Sequence, residues 1–159
     1  VTSPIRSVEI AVSGVPAPTW KSRVASFCGK ALRAAEYRSW EISLLLCDDA
    51  RITALNAKYR GKNTPTDVLS FPWNEEDAPG FVSDPKERRV SGDIAISLPA
   101  MRRNAALFGA TENEELKRLL IHGILHVAGM DHGKGRSGPM LDLQEKLTEQ
   151  LRGELVITE

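Results

Sequence analysis

The chain holds three histidines, and all three fall within residues 122–132, in the run His122-Gly-Ile-Leu-His126-Val-Ala-Gly129-Met-Asp-His132. His122 and His126 are four positions apart, about 40° around a helix that turns roughly 100° per residue, so both imidazoles project from one face, one turn apart. Gly129 stands where a left-handed residue ends such a helix, and the reversed chain brings His132 back toward the same point. Three neutral imidazole nitrogens with an open fourth position make the donor set of a catalytic zinc site, whereas structural zinc sites close with four protein ligands. The same set accepts nickel or cobalt. A lone histidine on an apolar helix is ordinarily a hydrogen-bonded core residue. Three at this spacing without a common cation would each need a separate buried partner.

The spacing matches the extended metalloprotease pattern H-E-x-x-H-x-x-G-x-x-H, except that Gly123 occupies the position of the glutamate base. Without that carboxylate, peptide hydrolysis lacks its proton acceptor. Phosphodiester cleavage depends instead on positive charge placed around the phosphoryl oxygens, which a metal and a nearby arginine supply.

The elements that must position these residues can be read from periodicity. Ser7 to Val12 alternates as a half-buried strand, and Trp40 to Cys47 is a short apolar run suited to a central one. Asp67 to Trp73 and Val90 to Ser97 read as two more, with Gly92 marking a bulge or a close backbone approach. Thr19 is the expected N-cap of a helix running to about Glu36, on the spacing of Trp20, Val24, Phe27, Cys28, Ala31 and Ala35. Asp48 and Asp49 open a helix carrying Ile52, Leu55 and Tyr59. Ser97 caps a helix through Leu107, and Thr111 with Glu114 forms a capping box opening the histidine helix. Met140, Leu143, Leu147 and Leu151 space out a last helix ending near Gly153. Asn74 to Arg89, polar and holding two prolines, is long enough for a flap over the site and equally for a plain surface loop.

Composition sets the frame around these elements. A chain of 159 residues, 42% hydrophobic and 26% charged, fits one ordinary globular domain spanning residues 1–159. Lys+Arg and Asp+Glu both number 21, so a nucleic-acid contact must rest on a local patch rather than on net charge. The longest strongly apolar stretch, Leu119 to Met130, is far short of the ~20 residues that span a bilayer, so no membrane partner is expected. No export or transit signal is visible from Val1 onward, although a segment removed upstream would leave no trace. Cys28 and Cys47 fit neither a redox pair nor a zinc knuckle and read as small packed hydrophobes, which points to a reducing compartment, most simply a bacterial cytoplasm.

The histidine run resembles the H-G-x-L-H-x-x-G-x-D-H signature of the YbeY-type endoribonucleases, the rRNA maturation factors of bacteria. Two more stretches resemble the same family: Leu55-Asn-Ala-Lys-Tyr-Arg60 followed by Pro65-Thr-Asp-Val-Leu-Ser-Phe-Pro72, and Gly92-Asp-Ile-Ala-Ile-Ser97. The resemblance implies a single-domain α+β fold, in which the strands and helices read above become a small mixed sheet of about four strands packed with about five helices, one of them a zincin-like helix bearing the histidines. It implies one zinc per chain held by His122, His126 and His132, and single-strand-specific cleavage of ribosomal RNA. The implied work is maturation of the small-subunit 16S rRNA 3′ end together with ribosome quality control. Arg60 and His122 stand at the positions that the family ties to activity. Implied partners are ribosomal RNA and the small ribosomal subunit, with a ribosomal protein and an assembly GTPase as further candidates. One departure is that Gly133-Lys-Gly-Arg136 is basic where relatives are often acidic, which bears on the charge at the site mouth.

Read directly, Lys58, Arg60 and Lys62 alternate with Tyr59 near a helix end, which suits phosphate contact plus an aromatic face for base stacking. A solvated charged face accounts for the lysines equally well. Arg60 is the stronger phosphate candidate because guanidinium binds phosphate in bidentate fashion and stays charged. Asp67, Asp93 and Asp131 are candidates to accept the free N–H of a ligating imidazole, or else serve turns and caps. Two other readings stand beside the nuclease: a different metal-dependent hydrolase, which the missing glutamate disfavours for peptides, and a ribosome-assembly factor whose metal is mainly structural.

Overall fold

A computed structural model describes residues 4–73, 88–130 and 138–158. In chain order the elements are β1 (Arg6–Ser13), α1 (Lys21–Ala34), β2 (Ser39–Cys47), α2 (Asp49–Arg60), β3 (Val68–Pro72), β4 (Arg89–Ser97), α3 (Leu98–Phe108), α4 (Glu112–Val127) and α5 (Pro139–Gln150). The four strands form one mixed sheet in the order β1-β2-β4-β3. β1 and β4 both run parallel to β2, while β3 is antiparallel to β4 along the other edge. This is the α+β architecture expected from the sequence, with four strands and five helices among the described residues.

The two faces of β2 are used differently, as the period of two requires. Trp40, Ile42, Leu44 and Leu46 enter the main core with Val24, Phe27 and Leu32 of α1 and the buried face of α4. Cys47, on the opposite face, joins Ile52 of α2, Leu69 and Ala95 in a smaller cluster. α4 is the central helix, packed on β3, β4, α1, α3 and α5. Its start is fixed as expected: the Thr111 hydroxyl accepts the Glu114 N–H at 3.0 Å, and Glu112, Glu114 and Glu115 complement the positive end of the helix dipole. Its end is a Schellman motif, in which Gly129 (φ +89°) donates to His126 O and Met130 donates to Leu125 O at 2.9 and 3.0 Å.

Two local expectations change. Thr19 does not cap α1: Trp20 stands at the cap without a side-chain bond, because its own burial in the core, rather than a capping oxygen, sets where the helix begins. The helix also stops before Glu36, which takes a left-handed φ of +67° while Tyr37 N–H bonds back to Leu32 O at 3.0 Å. At Gly92 the ladder runs unbroken from Ile42 through Gly92 to Pro72, so the residue marks a close approach and not a bulge. A Cβ there would lie 2.6 Å from both Phe71 O and Val127 Cγ1. Both cysteines are buried, which pushes the Cys28 thiol up to about 12 and Cys47 to about 11, as packed hydrophobes rather than reactive thiols. Among the described residues no helix is long and apolar enough to cross a membrane. Most of the 74–89 segment read as a flap or loop lies outside the described residues, as do Asp131, His132 and the basic run 133–136.

Candidate active site

α4 presents His122 and His126 side by side near its C-terminal end, with ring centroids 4.5 Å apart and ring planes at 69°. The helix is held in register at its other end by a polar cluster. The buried Glu115 carboxylate accepts two bonds from Arg118 at 2.8 and 2.7 Å, and Asn104 of α3 bridges Glu115 to Asp67 at 3.2 and 3.1 Å. Glu115 is only 2% exposed, so its charge requires this pairing. The Glu115 carboxylate in turn holds the Arg118 pKa above its usual value.

The position between the two histidines is shaped by packing. A Cβ on Gly123 would lie 3.0 Å from Ile94 Cγ2 and 3.4 Å from Ser70 Oγ. Position 123 therefore packs toward β4 and β3, where a larger side chain would have to displace Ile94. The glycine lets α4 lie close on the strands.

The opposite wall of the site comes from the end of α2. Gly61 (φ +69°) turns the chain, and the buried Asn56 clamps the returning segment by donating to Thr64 O at 2.9 Å. Arg60 then reaches across to β3, donating from Nη2 to Ser70 O at 2.8 Å with its guanidinium 5.2 Å from the Phe71 ring centre. One of five guanidinium donors is committed in this bond. Between the walls lies a cleft of about 640 Å³ lined by Arg60, Lys62, Ser70, His122 and His126 among others. Among the described residues no Asp or Glu lines it. The cleft therefore carries fixed positive charge beside a pair of imidazoles, an arrangement that favours an anionic substrate.

The basic and aromatic residues of the α2 end do not form a single patch. Lys62 lines the histidine cleft, whereas Tyr59 lines a second groove of about 750 Å³ on the other face of the sheet, with Phe71 and Asp93. Tyr59 and Phe71 rings are 5.2 Å apart, and Lys58 Nζ sits 5.1 Å from the Tyr59 ring centre, on that same side. Helical spacing explains the split: Tyr59 is one turn beyond Leu55 on the stripe that faces the sheet, while Lys62 follows the reversal at Gly61.

The carboxylates expected beside the imidazoles are also employed elsewhere. Asp93 alternates with Gly92 and Ile94, whose side faces α4, so its carboxylate points to the opposite face and accepts Trp73 Nε1–H at 3.0 Å. Asp67 accepts the Val68 N–H at 2.8 Å and the Asn104 amide, and so ties the start of β3 to α3. The third carboxylate candidate, Asp131, lies outside the described residues. Among the described residues, Gln144 of α5 meets an imidazole, its Oε1 lying 2.9 Å from His122 Nδ1. Its sequence signal was a polar residue between the buried Met140 and Leu147 on the inward stripe of α5.

As donors, the two described imidazoles suit a borderline divalent cation such as zinc. Among the described residues no third His, Cys, Asp or Glu joins them, and the expected third ligand His132 lies outside those residues.

Comparison with known proteins places the chain in context. The family described as Endoribonuclease YbeY matches residues 9–152. An Endoribonuclease YbeY of Treponema denticola is 45% identical over 131 residues, covering 82% of this chain and 83% of that protein. One of Treponema pallidum is 41% identical over 150 residues, covering 93% and 91%. A protein of Thermotoga maritima solved in solution superposes with a TM-score of 0.61 at 30% identity, covering 91% of this chain and 90% of that one.

Proposed function

Because this chain belongs to the YbeY endoribonuclease family, we propose that it is a zinc-dependent endoribonuclease specific for single-stranded RNA, acting in ribosomal RNA processing at the 16S 3′ end and in ribosome quality control. The observation that carries this reading is the cleft in which Arg60 and Lys62 face the His122–His126 pair with no carboxylate among its described lining residues. In this reading the compartment is the cytoplasm and the partner is ribosomal RNA within the small subunit. A ribosomal protein and an assembly GTPase are further partners.

His122 and His126, with His132, would hold one zinc per chain. When bound, such a metal supplies Lewis-acid stabilisation of phosphoryl charge and lowers the pKa of a coordinated water. Arg60 binds the scissile phosphate and stabilises the charge that develops on its oxygens as the bond breaks. The Ser70 carbonyl and the Phe71 ring hold the guanidinium in place before substrate arrives, so little side-chain entropy is lost on binding. Lys62 attracts the backbone into the cleft without reading sequence.

The reading is tested with Arg60→Ala. Cleavage of a labelled single-stranded RNA should fall at least tenfold, with zinc content and thermal stability retained. Undiminished cleavage would remove Arg60 from the mechanism. A second reading, an assembly factor acting through protein contact, is favoured by the sheet-face groove, whose apolar lining with Glu9 and Asp93 suits a basic protein surface. An intact, zinc-loaded protein that cleaves no RNA would favour it.

A further inference from the structure

Gln144 lies on α5, one turn after Met140 and just under one turn before Leu147, the two residues that bury this helix in the core at 1% exposure each. That spacing turns its amide toward α4, where Oε1 approaches His122 Nδ1 at 2.9 Å. The amide also lines a groove of about 450 Å³ between α4 and α5, whereas His122 lines the substrate cleft. The contact thus joins one residue from the lining of each cavity. With Oε1 turned to the ring, the amide accepts; the tautomer that satisfies this contact donates from Nδ1, and a neutral ring then keeps its lone pair on Nε2.

We propose that Gln144 is the positioning residue of the site: it fixes His122 in the Nδ1–H tautomer and so presents Nε2 as the metal-binding nitrogen. This rests on the metal reading given above, and it gives Gln144 the role the sequence offered to Asp67 and Asp93, whose oxygens are engaged elsewhere, while Asp131 lies outside the described residues. An amide acceptor orients the ring without adding negative charge to a cleft built to receive phosphate, which a carboxylate in the same place would do.

The test compares wild type, Gln144→Leu and Gln144→Glu as full-length proteins, using Zn²⁺ alone in competition with a chromophoric chelator. Gln144→Leu should weaken zinc binding about 10- to 100-fold, the usual cost of losing an outer partner of a ligating histidine. Gln144→Glu keeps an acceptor oxygen and should restore at least wild-type affinity. Long-range ¹H–¹⁵N spectra of the metal-free proteins should show His122 as the Nδ1–H tautomer in wild type and Gln144→Glu and as a mixture in Gln144→Leu. Melting temperatures of the metal-free variants separate orientation from loss of fold. Equal zinc affinity and an unchanged tautomer in Gln144→Leu would overturn the proposal, as would a Gln144→Glu protein as weak as Gln144→Leu. If wild type takes up no zinc, the metal reading falls, and the tautomer comparison alone then supports or overturns the role of Gln144.

Discussion

Gly92→Ala is the perturbation that most sharply links packing to the site. The new methyl would lie 2.6 Å from the Phe71 carbonyl oxygen and 2.6 Å from Val127 Cγ1, with Pro72 Cα at 3.1 Å. Comfortable contact needs roughly 3.5 Å, so each of the first two neighbours must yield by about 0.9 Å. Phe71 O is backbone in the paired strand β3, and Val127 is in the last turn of α4, next to His126. Neither can swing away like a flexible side-chain tip, which places the cost toward the upper part of the ~1–3 kcal/mol range for overpacking. With about 2–4 °C lost per kcal/mol in a domain of this size, the melting temperature should fall by roughly 4–12 °C. Circular dichroism melts of the metal-free protein measure this directly. In a Val127→Ala background one obstacle is gone and the penalty should shrink, with the carbonyl clash remaining. An unchanged or raised melting temperature would mean that the methyl fits without displacing Phe71 O or Val127, because an alanine that fitted would gain about 0.4–1 kcal/mol from the stiffer unfolded chain.

Three further outcomes follow from the same structure. His126→Ala should lose its stoichiometric zinc by elemental analysis while staying folded, and unchanged metal content would remove the proposed site. Lys117 is 4% exposed and donates to the carbonyls of Arg152 and Glu154 at 3.0 and 2.9 Å, so Lys117→Ala should cost about 2–3 kcal/mol in urea unfolding by freeing the C-terminal segment. The Asp49 carboxyl is held below the usual carboxylate range chiefly by Arg103, which donates to both its oxygens, and by the Ser97 hydroxyl. Its folded pKa is lowered, so its contribution is complete above the unfolded value of about 3.9 and is lost as pH falls through the folded one. Wild type should therefore be modestly more stable than Asp49→Asn at neutral pH, with the gap closing below about pH 4. A gap constant from pH 7 to pH 3 would contradict this assignment.

What could be read from the sequence was what local rules determine. The first strand alternated and the second was a short apolar run, Thr111 and Ser97 announced their helices, and the i, i+4 spacing put His122 and His126 on one face with Gly129 left-handed at the end. What could not be read depended on which elements meet. Lys58, Tyr59 and Lys62 are neighbours in sequence, but the turn at Gly61 sends Lys62 into the cleft and leaves Tyr59 on the sheet face. Asp93 stands beside residues that face α4, yet alternation points it away. The partner of His122 is 22 residues distant on α5, and only the packing of Met140 and Leu147 brings it near. Gly123 read as a missing base, while its structural role is to let α4 approach Ile94.

If the histidine cleft cleaves single-stranded RNA with a bound metal, cleavage must follow the metal. The measurement incubates a labelled single-stranded RNA with the zinc-loaded protein, beside a chelator-stripped sample and the same stripped sample restored with zinc. Cleavage is expected with zinc, with loss on stripping and return on restoration. Cleavage that persists undiminished in the stripped protein, or no cleavage by a folded and zinc-loaded one, would contradict that expectation.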